Sequence, residues 1–170
     1  MNMQLLEKIL MAFGPSGHED RVAEVIREAL EGHVDEMHID VMGNLIAVKK
    51  GDGTGKRVMT SAHMDHIGLI VVDADKEGFL RVSNVGGIRA AKMVSGHVVF
   101  GNGVHGVVGT DEKVKGELQV SDLYIDIGAA SKEEALEMVA LGDMCVMAPR
   151  VTKLGKNRLA SPAMDDRIAC

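Results

Sequence analysis

A chain of 170 residues, 46% of them hydrophobic, is long enough to build one domain or two small ones around an apolar core. Its net charge of −6 and 2% aromatic content, with no Trp and one Tyr, argue against nucleic acid as a partner, because neither a basic footprint nor stacking platforms are present. Two cysteines, Cys145 and Cys170, are too few for a disulfide framework, and the apolar run Ile9 to Phe13 is too short for a secretory signal or a membrane span, so the expectation is a cytoplasmic protein.

Leu5, Leu6, Ile9 and Leu10 recur at helical spacing and predict a helix over Met3 to Ala12, stopped by Gly14-Pro15. Ser16-Gly17-His18-Glu19 has the form of a capping box for a second helix with Val22, Ala23, Ile26, Ala29 and Leu30 on one face, ending near Gly32. His18 reads as an exposed first-turn residue. Met37 to Val41 and Leu45 to Lys49 are β-like around a Gly43-Asn44 turn and predict a hairpin. The glycine-rich loop from Gly51 to Gly55 lacks the Gly-Lys-Ser/Thr ending of a nucleotide-binding loop.

Lys56 to Ala62 reads as a strand entering a buried sheet and leading into Ala62-His63-Met64-Asp65-His66-Ile67-Gly68. Side chains two apart on an extended backbone point the same way, so His63 and Asp65 share a face. A histidine that ligates a metal through one ring nitrogen usually gives its other N–H to a carboxylate, and Asp65 is spaced for that task.

After Gly68 the pattern changes. Short β runs at Leu69 to Val72, Phe79 to Val82, His97 to Phe100, Val104 to Val108 and Leu118 to Val120 are separated by turn signals, which predicts a small barrel or sandwich, and Leu123 to Gly128 reads as another strand. His97 and His105 fall in these runs as structural or surface residues, and the twelve methionines serve as gap-fillers in place of aromatics. Ser131 caps a helix through Val139 or Ala140, stopped by Gly142. Asp143 to Ala148, Val151 to Leu154 and Arg158 to Ala160 read as further strands. Asp165 and Asp166 then open a short helix, where a helix N-terminus would stabilise carboxylates. Brought near His63, Asp165 could bridge two metal ions.

Pro15-Ser16-Gly17-His18-Glu19, Asp40-Val41-Met42-Gly43-Asn44-Leu45, Ser61 to Gly68, Asp122 to Gly128 and Ala163-Met164-Asp165-Asp166-Arg167 stand in the order of the tetrahedral-type metallo-aminopeptidases. The chain resembles the N-terminal half of that family, which includes glutamyl and deblocking aminopeptidases. The resemblance implies an α/β fold, a di-metal peptidase core interrupted by an inserted β-barrel-like domain. Residues 1–67 and 160–170 would belong to the core, and 68–159 to an insertion used for homo-oligomer assembly. It further implies His63 and Asp165 as metal ligands, Asp165 bridging, Asp65 as the catalytic carboxylate orienting His63, two divalent ions (zinc or cobalt), and peptide substrates.

The family's adjacent Glu pair, further Asp and final His fall downstream of residue 170, so the chain carries part of a ligand set, and a catalytic zinc needs three protein ligands. His66 stands where an acidic residue is frequent and Ala169 where Gly is usual. The 170 residues alone are therefore expected to be inactive. The competing readings are a catalytically incomplete assembly module and a di-metal hydrolase of another substrate.

Overall fold

The protein is described here by a computed structural model covering residues 2–111 and 116–170. It divides into two compact units, one formed by residues 1–65 with 150–170 and the other by residues 66–149.

The first unit begins with helix α1 (Met3–Met11), whose first free amides, on Gln4 and Leu5, donate to the side chain of Asn2. Leu6, Ile9 and Leu10 form its buried stripe. Helix α2 (Asp20–Leu30) buries Val22, Ala23 and Ile26, and Ile9, Val22 and Ile26 make a shared apolar cluster. Burying each such aliphatic side chain contributes about 1.5–3 kcal/mol.

The capping box is not formed. Glu19 occupies the N-cap position without a side-chain cap, and its Oε1 accepts from the Gly17 amide at 2.7 Å. That short loop bond leaves the Ser16 hydroxyl free for a distant partner.

Strands β1 (Glu36–Ile39) and β2 (Leu45–Val48) form the expected antiparallel hairpin, with Met37 opposite Ala47 and Ile39 opposite Leu45. Its turn is closed by Asp40, whose carboxylate accepts from the amides of Met42 and Asn44 and from the Asn44 side chain, each at 2.9 Å, with Gly43 in the left-handed region.

Residues 56–62 are extended in composition but form no strand, against expectation. Val58 and Met59 are 84% and 89% exposed. β propensity needs a neighbouring strand to satisfy its backbone groups, and among the described residues none lies beside this segment.

The second unit is a closed antiparallel barrel. Its strands are β3 (Gly68–Ala74), β4 (Leu80–Val85), β5 (His97–Phe100), β6 (His105–Thr110), β7 (Leu123–Asp126) and β8 (Met144–Met147), in the order β3-β4-β7-β6-β5-β8. Closure leaves no unpaired edge. Alternate residues fill the interior: Leu69, Val71, Leu80, Val82, Val98, Phe100, Val108, Leu123, Ile125 and Cys145 are all buried in one cluster, with Met138 and Met147 packed against it.

On the outer face Gly109 pairs with Tyr124, and a Cβ at 109 would lie 2.4 Å from the tyrosine ring. The missing side chain lets that ring cover the strand and meet Phe79 in a tilted contact, centroids 4.6 Å apart and planes at 43°. Helix α3 (Lys132–Met138) is capped as expected by Ser131, which accepts from the Glu134 amide, and Lys132 reaches Asp73 at 2.7 Å. Leu118 to Val120 is not a strand. Gln119 and Asp122 cap each other around a 3-10 turn over Val120–Asp122, and this local bonding replaces ladder pairing. His97 and His105 lie exposed on β5 and β6.

Strands β9 (Thr152–Leu154) and β10 (Arg158–Ala160) form an exposed hairpin in the first unit. The chain ends in a four-residue element, α4 (Met164–Arg167), that is not a regular helix: Asp165 and Asp166 have non-helical dihedrals, and the peptide between them is cis. The two carboxylates therefore do not sit at a helix N-terminus. Leu6, Leu10 and Ala163 pack together and anchor this segment to α1.

Candidate functional site

Without a strand under them, His63 and Asp65 are positioned by hydrogen bonds. His63 Nδ1 lies 3.0 Å from Asp65 Oδ1 and 3.2 Å from the Asp65 carbonyl oxygen, so Nδ1–H donates to both. The other carboxylate oxygen of Asp65 accepts from the Ser16 hydroxyl in a very short contact. His63 Nε2 faces Asp165 Oδ1 at 3.3 Å.

The result is a line of side chains from three separate stretches of sequence: Ser16, Asp65, His63 and Asp165. Burial of the ring works against its charge. The Asp65 carbonyl and carboxylate and the Asp165 carboxylate outweigh it and hold His63 above the usual imidazole range.

The backbone under this line is tied by Arg167, which is 1% exposed. Its guanidinium donates to the carbonyl oxygens of Met64 at 2.7 Å, Ile9 at 3.2 Å, Ala12 at 2.6 Å and Gly14 at 3.0 Å. Met64 lies between His63 and Asp65, Gly14 lies two residues before Ser16, and Arg167 itself lies two residues after Asp165. One cation thus joins every segment that contributes to the line.

Burial presses the guanidinium below its ordinary pKa, against the pull of nearby Cys170, Asp65 and Glu19. Gly14 is required for this approach, since a Cβ there would come within 2.7 Å of both Arg167 Nη2 and Val22 Cγ2. Neither Arg167 nor Ser16 was a candidate on sequence grounds. The signal available was that each lies inside a stretch shared with the family, Pro15 to Glu19 for Ser16 and Ala163 to Arg167 for Arg167.

Chemically, the line fits part of a metal site. An imidazole whose Nδ1–H is held by a carboxylate offers its Nε2 lone pair outward, and that pair converges with an oxygen of Asp165, which is exposed on its other side. Two donors fall short of a full set. Among the described residues, no group of three or more His, Cys, Asp or Glu is arranged to hold a metal ion.

A family profile described as M42 glutamyl aminopeptidase matches residues 43–170. The chain belongs to that family. It is 46% identical over 169 residues to a protein of Acetivibrio thermocellus, an alignment that covers 98% of this chain and 50% of the relative.

Among solved structures, an aminopeptidase of the archaeon Desulfurococcus kamchatkensis superposes with a TM-score of 0.90 at 36% identity, over 98% of this chain and 48% of that one. The Pyrococcus horikoshii TET1 peptidase, described as able to assemble into a tetrahedron or a large octahedral shell, gives 0.85 at 35% identity over 98% and 52%. This M42 chain spans about half the length of the relatives it matches. The fold class is that of these aminopeptidases, a mixed α/β chain containing a closed barrel. Among the described residues no helix is long and apolar enough to cross a membrane.

Proposed function

We propose that this chain contributes to a di-metal aminopeptidase that removes N-terminal residues from peptides, as M42 membership suggests. The observation that carries the reading is the convergence of His63 Nε2 and Asp165 Oδ1 within 3.3 Å while Asp65 holds the opposite ring nitrogen. His63 and Asp165 would hold metal, with Asp165 bridging two ions, and Asp65 would orient His63 and raise its basicity.

Zinc or cobalt suits a donor set of imidazole and carboxylate, and a bound pair would polarise the peptide carbonyl and lower the pKa of water. Further ligands and a general base would come from outside these residues. Residues 68–159 are assigned to an inserted domain through which copies assemble, a role supported by the shell-forming relative, and 1–67 with 160–170 to the catalytic core. A cytoplasmic location agrees with the two unpaired cysteines.

Asp165→Ala in the complete enzyme is expected to abolish metal-dependent release of amino acids from peptide amides, and undiminished activity would sink the assignment.

A second reading, an assembly module without catalysis of its own, is favoured by the two-donor ligand set among the described residues. It predicts stable oligomers of the isolated chain in size-exclusion chromatography and no turnover. Turnover by the isolated chain would reject it.

A further inference from the structure

The proposed function leaves unused the hydrogen bond that enters the site from the opposite end of the line. Ser16 is half-buried in the loop between α1 and α2, and its hydroxyl donates to Asp65 Oδ2, while Asp65 Oδ1 receives the His63 Nδ1–H. With both oxygens engaged, the carboxylate has a single favourable rotation.

The loop is built to present this hydroxyl. His18 N donates to Pro15 O at 2.9 Å, Gly17 adopts a φ of 88° and gives its amide to Glu19, and Gly14 is fastened through its carbonyl to Arg167. The Glu that would close a capping box on Ser16 is thereby turned to the neighbouring amide. Ser16 is directed to Asp65, 49 positions away in sequence.

We propose that Ser16 is a positioning residue of the M42 site: its hydroxyl fixes the rotation of Asp65, which in turn fixes the tautomer and ring orientation of His63. The inference rests on the reading of His63 as a metal ligand. Without the Ser16 donor, Oδ2 turns toward water and the carboxylate is free to rotate. Nδ1–H then keeps only the Asp65 carbonyl oxygen at 3.2 Å as a fixed acceptor, and its preference over Nε2–H weakens. His63 then presents its lone pair to Asp165 for only part of the time. Hydrogen-bonding partners directly behind a ligand, the place of Asp65, change metal affinity by about 10–100-fold when removed, and Ser16, one bond further out, acts through that partner with a smaller effect.

The test uses the full-length protein, with cobalt alone as the probe and two readouts. In the metal-free protein, at a pH above the raised His63 pKa where the ring is neutral, imidazole nitrogen chemical shifts report the His63 tautomer. Titration with cobalt, followed by its visible absorption, reports affinity.

Ser16→Ala is expected to mix the His63 tautomers and to weaken cobalt binding up to about 10-fold, the lower end of the range for a direct partner, and Ser16→Thr, which keeps the hydroxyl, to restore both. Wild-type tautomer and wild-type cobalt affinity in Ser16→Ala overturn the inference. Should the alanine variant not fold, Ser16→Gly, which also lacks the hydroxyl and adds no metal ligand, gives the same two readouts with the same interpretation.

His63→Ala separates the two levels of argument. If it leaves cobalt binding unchanged, the metal-site reading itself fails. If it abolishes binding while the Ser16 variants do not alter it, only the positioning role fails.

Discussion

The barrel and the first unit bury their apolar residues by different means. In the barrel every strand has two neighbours, and alternation sends one face of each into a common interior where Leu69, Val98, Leu123 and Ile125 have no exposure at all. In the other unit the β1–β2 sheet has two strands, and Ile39, Val41, Met42, Ile46, Val48, Val58 and Met59 are all exposed. A closed sheet is its own partner, whereas a two-stranded one cannot seal either face. The first unit packs small apolar clusters along α1 and α2, and the buried Arg167 with the line from Ser16 to Asp165 ties its separate segments together. The first unit thus adds a few long-range directed bonds to small apolar clusters, whereas the barrel is centred on one continuous apolar interior.

The sharpest way to break that contrast is to remove one anchor from each side. Arg167→Met removes the charge but strands buried carbonyl oxygens of Ile9 and Gly14, and is expected to cost about 3–5 kcal/mol. Phe100→Ala in the barrel is expected to cost a similar amount, about 3–5 kcal/mol, through lost transfer energy and a cavity. Hydrogen exchange tells them apart: amides of residues 1–65 lose protection in the first variant and those of 66–149 in the second. Loss of protection in both units from either change would show that the two are not separate in stability.

A pH-dependent effect is expected in the barrel. Burial pushes the Cys145 thiol up to about 12, with a weaker opposing contribution from its hydrogen bond with the Leu69 backbone. The folded protein then keeps a proton that the unfolded chain releases. The stabilisation is complete below the ordinary thiol pKa, near 8.5, and declines as pH rises from there toward about 12. Denaturation midpoints followed above pH 8.5 should fall more steeply in the wild type than in Cys145→Ala. A thiol reagent should correspondingly modify Cys170, which is exposed, well before Cys145. Equal rates would contradict the sealed barrel.

The smallest expected effect sharpens the comparison from the other side. Met59→Ser changes a large apolar residue, yet with 89% of its surface exposed it is expected to alter the stability of this chain by less than about 0.5 kcal/mol. A larger loss in a thermal melt would mean that residues 56–62 are already covered in solution.

The family resemblance, both helices of the first unit, its hairpin and most barrel strands were legible in the sequence because each depends on local signals: helical periodicity, Gly43-Asn44, and alternation broken by glycine turns. The misreadings share a cause. Ser16 and Glu19 have the spacing of a capping box, but a single bond from Gly17 to Glu19 diverts the pair. Residues 56–62 have strand composition, but pairing is a property of neighbours. Asp165 and Asp166 look like first-turn acids, but their dihedrals are not helical.

The sequence by itself determined which residue types were available for chemistry and the order of the motifs that carry them, since both are written in local spacing. Only the tertiary structure decided that Ser16, Asp65, His63 and Asp165 form one line and that Arg167 binds their backbones together. Hydrogen bonds spanning 49 to 158 positions leave no periodic trace in the chain.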